Sequence, residues 1–291
     1  MRVLIVLALV AAAYANIVPT GTEFSAFGFI EKYAIPLGEK IRKAEEEMTQ
    51  QRIIGGMPSI LGEIPYQAGL LGSYLNIEGT GICGGSLVSS NRVVTAAHCW
   101  YDGVNQAWRF TVVLGSVTLF TGGTRIDTSG VALHPQWIPA LIRNDVAVIY
   151  LPFGVAFSGI ISPISLPTNQ EENFTFDGLL AVASGYGLTH DGGSITIYQY
   201  LSHVILSIIS NDRCSLLFPY VIQDSNICTS SLGTVSTCSG DSGGPLAVNL
   251  NGRPVLVGIT SFGLAVGCEI RWPAVFARTT SYLSFLNQHI N

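Results

Sequence analysis

The chain has 291 residues, of which 48% are apolar and only 11% charged, with a formal net charge of −5. Against roughly 25% charged in an ordinary soluble chain, this composition fills a large core and leaves a surface of Ser, Thr, Asn, Gln and Gly. The acidic balance, with no basic cluster in the second half, argues against nucleic-acid binding.

Residues 1–15 carry Arg2, an apolar run from Val3 to Val10, and then Ala13-Tyr14-Ala15. This is the pattern of a secretory signal cleaved after Ala15. The run is shorter than the roughly 20 apolar residues that span a bilayer, so secretion is expected rather than a membrane anchor. Residues 16–52 differ in kind. All three lysines of the chain, Lys32, Lys40 and Lys43, lie there, followed by Glu45-Glu46-Glu47. The stretch from Ile35 to Gln51 predicts a solvated helix whose charges keep it soluble. It ends in Gln50-Gln51-Arg52, directly before Ile53-Ile54-Gly55-Gly56.

From Ile53 onward, short β runs alternate with Gly, Pro, Asn and Ser clusters. Examples are Ser86–Ser89, Phe110–Leu114, Val146–Leu151, Leu180–Ala183, Val204–Ile208 and Leu256–Ile259. Such spacing without helical periods indicates an all-β barrel or sandwich. One helix is expected at the end, Ser281 to His289, with Tyr282, Phe285, Leu286 and His289 on one face. Six cysteines, Cys83, Cys99, Cys214, Cys228, Cys238 and Cys268, follow the signal; the even count points to disulfides and leaves their pairing open. Metal binding fails as a rival, because no C-x-x-C pair and no His pair at ligand spacing occurs.

Three separated stretches carry chemistry. In Cys238-Ser239-Gly240-Asp241-Ser242-Gly243-Gly244-Pro245-Leu246, glycines flank a serine hydroxyl, so the backbone can turn sharply and a substrate can come close. Alone it reads as a Gly-rich turn. Thr95-Ala96-Ala97-His98-Cys99 adds an imidazole, and Asn144-Asp145-Val146-Ala147-Val148 adds a carboxylate heading an apolar strand. An unpaired carboxylate there costs several kcal/mol, which a hydrogen bond from His98 Nδ1–H would offset. His134, His190, His203 and His289 lack such context and read as structural or surface residues.

In the order His, Asp, Ser, these stretches resemble the chymotrypsin-like serine peptidases, and the resemblance runs from residue 53 to the end. It implies two six-stranded antiparallel β-barrels with a C-terminal helix, divided near 160–175, with the active site between them. It implies a triad of His98, Asp145 and Ser242, an oxyanion hole from the Gly240 and Ser242 amides, and Ser261 as a further contact of Asp145. Residues 16–52 become an activation peptide cut after Arg52, whose removal frees Ile53 to pair with Asp241. No cysteine in 16–52 tethers that peptide. The disulfides implied are Cys83–Cys99, Cys214–Cys228 and Cys238–Cys268.

The resemblance places Ser236 at the base of the specificity pocket, with Ser261, Phe262, Gly263 and Ala274 around it. Ser236 carries no charge to select Lys or Arg, and Gly263 leaves the mouth open, so Phe, Tyr, Leu or Met is expected before the scissile bond. Ala274 adds one methyl where many relatives have glycine, which keeps an elastase-like taste for smaller residues as the alternative. Arg271-Trp272 is a departure near the pocket rim. The loop Gly115–Ile126 resembles the calcium loop of trypsins but holds no carboxylate, so no metal is expected, and the chemistry needs no cofactor. Asn173-Phe174-Thr175 is a glycosylation sequon. The part after residue 52 has eight arginines and no lysine, which suits alkaline fluid, since guanidinium stays charged where ammonium discharges. Stretches such as Asn105–Phe110 resemble insect digestive chymotrypsins, those of caterpillar midgut in particular. The expectation is a monomer secreted to the gut lumen, with protein substrates, a trypsin-like activator and protein inhibitors as partners, and with neither nucleic acid nor membrane. The rival is a catalytically inactive homologue that binds or regulates; its usual mark, a lost triad member or oxyanion glycine, is not visible.

Overall fold

The computed structural model describes residues 24–50, 60–188, 200–230, 240–263 and 272–290. The strands β1 (Gln67–Tyr74), β2 (Ile77–Ser89), β3 (Arg92–Thr95), β4 (Ala107–Leu114), β5 (Thr124–Thr128), β6 (Gly130–Leu133) and β7 (Ala147–Tyr150) form one antiparallel sheet in the order β5-β4-β1-β2-β3-β7-β6. Its two edge strands, β5 and β6, are consecutive in the chain and separated only by Ser129. They are two halves of one bent strand, so the sheet curls until its ends meet. Thr128 fastens the bend, donating to Tyr150 O at 2.6 Å and accepting from Gly130 N–H at 3.0 Å.

A second barrel follows from β8 (Leu180–Gly185), β9 (Ser202–Ile209), β10 (Asn226–Thr229), β11 (Pro245–Leu250), β12 (Arg253–Phe262) and β13 (Ala274–Arg278). It is closed in the order β10-β13-β12-β11-β8-β9. The expected pair of six-stranded barrels is therefore present, and the first counts seven segments only because one strand is bent. Side-chain alternation explains the packing. On β4, Phe110, Val112 and Leu114 enter the first core, whereas Val113 turns the other way against Leu71, Leu119 and Tyr186. That second cluster lies at the seam, where Ser184 Oγ donates to Gln67 Oε1 at 2.7 Å and Tyr186 Oη to Ser116 O at 2.7 Å.

Before the first barrel runs helix α1 (Ile35–Gln50), entered through a wider π-helical turn, Ile30–Ala34. Pro36 accounts for the turn: it has no N–H to give and its ring crowds the preceding turn. Widening the hydrogen bond so that Ile35 N–H reaches Ile30 O relieves both. The helix is not solvated, which corrects the reading of 35–51 as a free, charge-solubilised helix. Ile30, Ala34, Leu37, Ile41, Ala44 and Glu45 are all buried against the barrel. Gly38 permits this closeness, since a Cβ there would stand 2.1 Å from Thr80 O on β2. Burial of this kind stabilises by roughly 1.5–3 kcal/mol for each Leu or Ile side chain.

Helix α2 (Asn211–Ser215) is capped by Ser210 and carries Cys214, which is bonded to Cys228 on β10. At the end of the chain a 3₁₀ turn, Thr279–Tyr282, leads into α3 (Leu283–Ile290). Its Phe285 and Leu286 join the core of the first barrel. His289 ties it there: its carbonyl accepts from Arg92 Nε at 2.8 Å, and its Nδ1 bonds Tyr150 Oη. The last helix thus clamps the second half of the chain onto the first.

Four buried tyrosines, Tyr66, Tyr74, Tyr186 and Tyr282, give this fold an alkaline limit. Burial disfavours the phenolate and raises each hydroxyl, to about 12 for Tyr66. Unfolded tyrosines lose their protons near about pH 10, so above it the unfolded chain is favoured. Stability that is complete below about pH 10 is therefore lost as pH rises toward about 12. Denaturant midpoints are expected to fall over that interval, and Tyr66→Phe is expected to lessen the fall.

Candidate active site

The pairing of β3 with β7 aligns Thr95 with Ala147. His98 follows that pair by three residues and Asp145 precedes it by two, so antiparallel geometry delivers both to one end of the barrel. His98 sits in a 3₁₀ turn, Ala97–Cys99, and the Cys83–Cys99 disulfide fastens that turn to β2. Asp145 is projected inward by a tight turn in which Asn144 has φ +58°. Asn accepts this left-handed conformation better than most residues, and its amide donates to Gln136 O at 2.8 Å.

Asp145 is 2% exposed, and its carboxylate is fully engaged. Oδ1 accepts from His98 N–H at 2.9 Å, and Oδ2 lies 2.7 Å from His98 Nδ1. Ser261 Oγ, on β12, also donates to Oδ2, at 2.5 Å. Three donors offset the cost of removing this charge from water. Because a carboxylate only accepts, the proton of the neutral ring belongs on Nδ1, which leaves Nε2 with a lone pair. Nε2 is buried and makes no hydrogen bond among the described residues.

Ser242 lies in the loop entering β11, stitched across the seam between the barrels. Its carbonyl accepts from Gly84 N–H on β2 at 2.7 Å and stands 3.7 Å from Cys99 Sγ. On the other side Gly243 N–H donates to Thr260 O at 2.8 Å. Gly243 is required twice over: its φ is +80°, and a Cβ there would lie 2.2 Å from Thr95 Oγ1. The two barrels thus hold the serine and the histidine turn side by side. Gly240, at φ +98°, precedes it, and Asp241 Oδ1 accepts from Gly187 N–H at 3.0 Å.

Of the expected pocket residues, Ala274 is buried on β13, Phe262 is half-buried at the end of β12 and Gly263 is exposed. Trp272 packs edge-on to Phe218, with ring centroids 5.3 Å apart. Ser236, Cys238, Cys268, Arg52, Ile53, Arg271 and His190 lie outside the described residues. The His134 ring lies against Tyr282 and Phe285, and His203 faces Glu63 at 3.7 Å. Sequence reasoning missed one residue at the site. Phe29, from the segment before α1, presses its ring edge-on against His98, with centroids 4.5 Å apart.

A histidine–carboxylate pair buried at the seam of two antiparallel barrels, beside a glycine-flanked serine, defines the two-barrel class of serine peptidases. The chain belongs to the trypsin family, whose model matches residues 53–286. It is 36% identical over 244 residues to Collagenase of Hypoderma lineatum, covering 84% of this chain and 89% of that one. It is 37% identical over 242 residues to Serine protease 1 of Drosophila melanogaster, covering 82% and 86%. Brachyurin of Leptuca pugilator is 36% identical over 237 residues, covering 80% and 96%. The solved structure of HL collagenase superposes with a TM-score of 0.72 at 34% identity, over 82% of this chain and 98% of the other. The chain is a serine endopeptidase of this family.

Proposed function

We propose that the chain is the zymogen of a secreted, chymotrypsin-like digestive endopeptidase, with a signal at 1–15, an activation peptide at 16–52 and the peptidase domain at 53–291. Ser242 attacks the scissile carbonyl as His98 Nε2 takes its proton, and Asp145 stabilises the resulting imidazolium. The Gly240 and Ser242 amides hold the oxyanion, each such donor being worth ~2.7–4 kcal/mol. His98 then protonates the leaving amine, and water repeats the sequence on the acyl-enzyme. The observation that carries this reading is the 2.7 Å contact of His98 Nδ1 with an Asp145 that Ser261 also holds.

Activation begins with a cut after Arg52 by a trypsin-like enzyme. The new amine of Ile53 pairs with Asp241, whose carboxylate already reaches Gly187 N–H beside the Ser242 loop. Breaking such a buried pair from one side is strongly destabilising, so the pair locks the loop. A third disulfide, Cys238–Cys268, ties that loop to the pocket wall. The uncharged Ser236 and open Gly263 favour large apolar or aromatic residues, while the Ala274 methyl narrows the pocket by an amount worth ~1–3 kcal/mol between substrates. The enzyme acts as a monomer on protein substrates in the gut lumen and is a target for protein inhibitors.

The test is a peptide library offered to the protein cut after Arg52 and freed of both the activating enzyme and the released peptide. Cleavage after Phe, Tyr, Leu or Met is the expected result. Cleavage confined to bonds after Ala or Val would keep the chemistry and transfer the specificity to the elastase-like reading. Absence of cleavage by folded protein with Ile53 as its N-terminus would favour the inactive binding homologue.

A further inference from the structure

His98 is only 2% exposed, and its Nε2 is buried with no hydrogen-bond partner among the described residues. A general base must come within about 2.6–3.2 Å of the proton it moves, so substrate has to reach Nε2. What denies access is the chain's own segment before α1. Phe29 stands against the imidazole. Phe24 packs on Phe218 and on Phe262, at 5.4 and 6.1 Å between ring centroids. Leu37 on α1 abuts the Ser242 loop, since a Cβ on Gly240 would lie 2.7 Å from its Cδ2.

These contacts are anchored by polar groups that leave little freedom. Ile30 N–H donates to Asp102 Oδ2 at 2.9 Å, and Asp102 is itself fully buried. Ala26 N–H donates to Pro139 O at 2.9 Å. At the far end Glu45, 1% exposed, accepts from Leu119 N–H at 2.6 Å, from Phe120 N–H at 3.0 Å and from Thr121 Oγ1 at 3.0 Å. The surface loop expected to bind no metal instead receives a carboxylate from the segment upstream.

We propose that residues 24–47 are an inhibitor built into the chain, which stays docked over His98 as a separate peptide after the cut at Arg52. This rests on the zymogen reading above and adds a second lock to it. The cut removes none of the anchors, which all lie between Phe24 and Glu45. With no cysteine in the segment, no disulfide tethers it, so its inhibition is reversible and depends on concentration. Release is also encoded. Lys32, Lys40 and Lys43 are exposed on the docked segment, and no lysine occurs after it. An activator that cleaves after lysine as well as arginine therefore destroys the inhibitor with cuts the peptidase domain does not offer.

For the test, Met48→Asp, Thr49→Asp, Gln50→Asp, Gln51→Asp and Arg52→Lys place an enteropeptidase site before Ile53, so the full chain is cut there alone. Hydrolysis of an aromatic p-nitroanilide is followed before and after a lysine-specific peptidase digests the released peptide. Synthetic peptide 16–47 is then titrated back. Its docking is measured separately by fluorescence anisotropy on the cut, peptide-free Ser242→Ala protein. Digestion is expected to raise activity at least about tenfold, and the peptide to reverse this in competition with substrate. Phe29→Ala or Glu45→Gln in the peptide should weaken binding by about tenfold, the equivalent of one to two lost contacts. A peptide-free enzyme that is active but indifferent to the peptide overturns the inference, as does binding without inhibition. A peptide-free protein that begins at Ile53, is folded and hydrolyses nothing overturns the zymogen reading itself, and this inference with it.

Discussion

Ser242→Ala is expected to lower kcat by on the order of 10⁶-fold, while substrate still binds. The physical reason is that no second hydroxyl stands in its place: Ser261 is committed to Asp145 at 2.5 Å. The fold should be unaffected. The Ser242 hydroxyl makes no hydrogen bond among the described residues, and what ties the loop down is its carbonyl, held by Gly84 N–H. Thermal unfolding of the variant should therefore match that of the parent, with single-turnover kinetics showing no acyl-enzyme burst. A loss of less than about tenfold would mean that another group attacks the substrate.

Asp145→Asn is the second large effect, a fall in kcat of about 10⁴. Asparagine keeps the shape, and its carbonyl oxygen can still accept from His98 N–H, where Oδ1 now does so at 2.9 Å. Its amide, however, donates where a carboxylate oxygen accepted. His98 Nδ1 must then become the acceptor and Nε2 the protonated atom, so the base cannot take the serine proton. The expected pattern is a low kcat with little change in KM. A proton-detected NMR spectrum should show the imidazole N–H moved from Nδ1 to Nε2. Unchanged activity would show that the His98–Asp145 contact plays no part in the chemistry.

Much of the site was legible in sequence because its chemistry demands particular residues in particular company. His98 and Asp145 are recognisable since each heads or follows a strand whose apolar run is itself a signal, and β3–β7 pairing brings them together. The strand at Phe110–Leu114 declares itself through β-branched and aromatic residues. The β1–β2 hairpin does so only at its end, Ser86–Ser89. It carries Gly69, Gly72, Gly79, Gly81, Gly84 and Gly85, because the Tyr74 side chain lies over Gly72 and Gly81 and Gly84 meets the backbone of Gly244. Glycine chosen for close approach erases the propensity signal for a strand.

The upstream helix misled for a different reason. Its charge run reads as a solvated surface, and Glu46 and Glu47 are indeed exposed. Glu45 is not, because backbone amides of residues 119 and 120 satisfy its carboxylate as water would. A usable signal was present in the spacing of Ile30, Ala34, Leu37, Ile41 and Ala44, which marks one apolar face at helical period. A buried glutamate next to two exposed ones cannot be singled out without knowing the loop it meets.

The cut, peptide-free protein is treated with a fluorophosphonate and digested, and the modified peptide is identified by mass spectrometry. A single adduct on Ser242, lost in His98→Ala protein of unchanged stability, is the predicted result. An adduct on any other residue, or none on folded protein whose N-terminus is Ile53, would contradict the assignment of Ser242 as the nucleophile and His98 as its base.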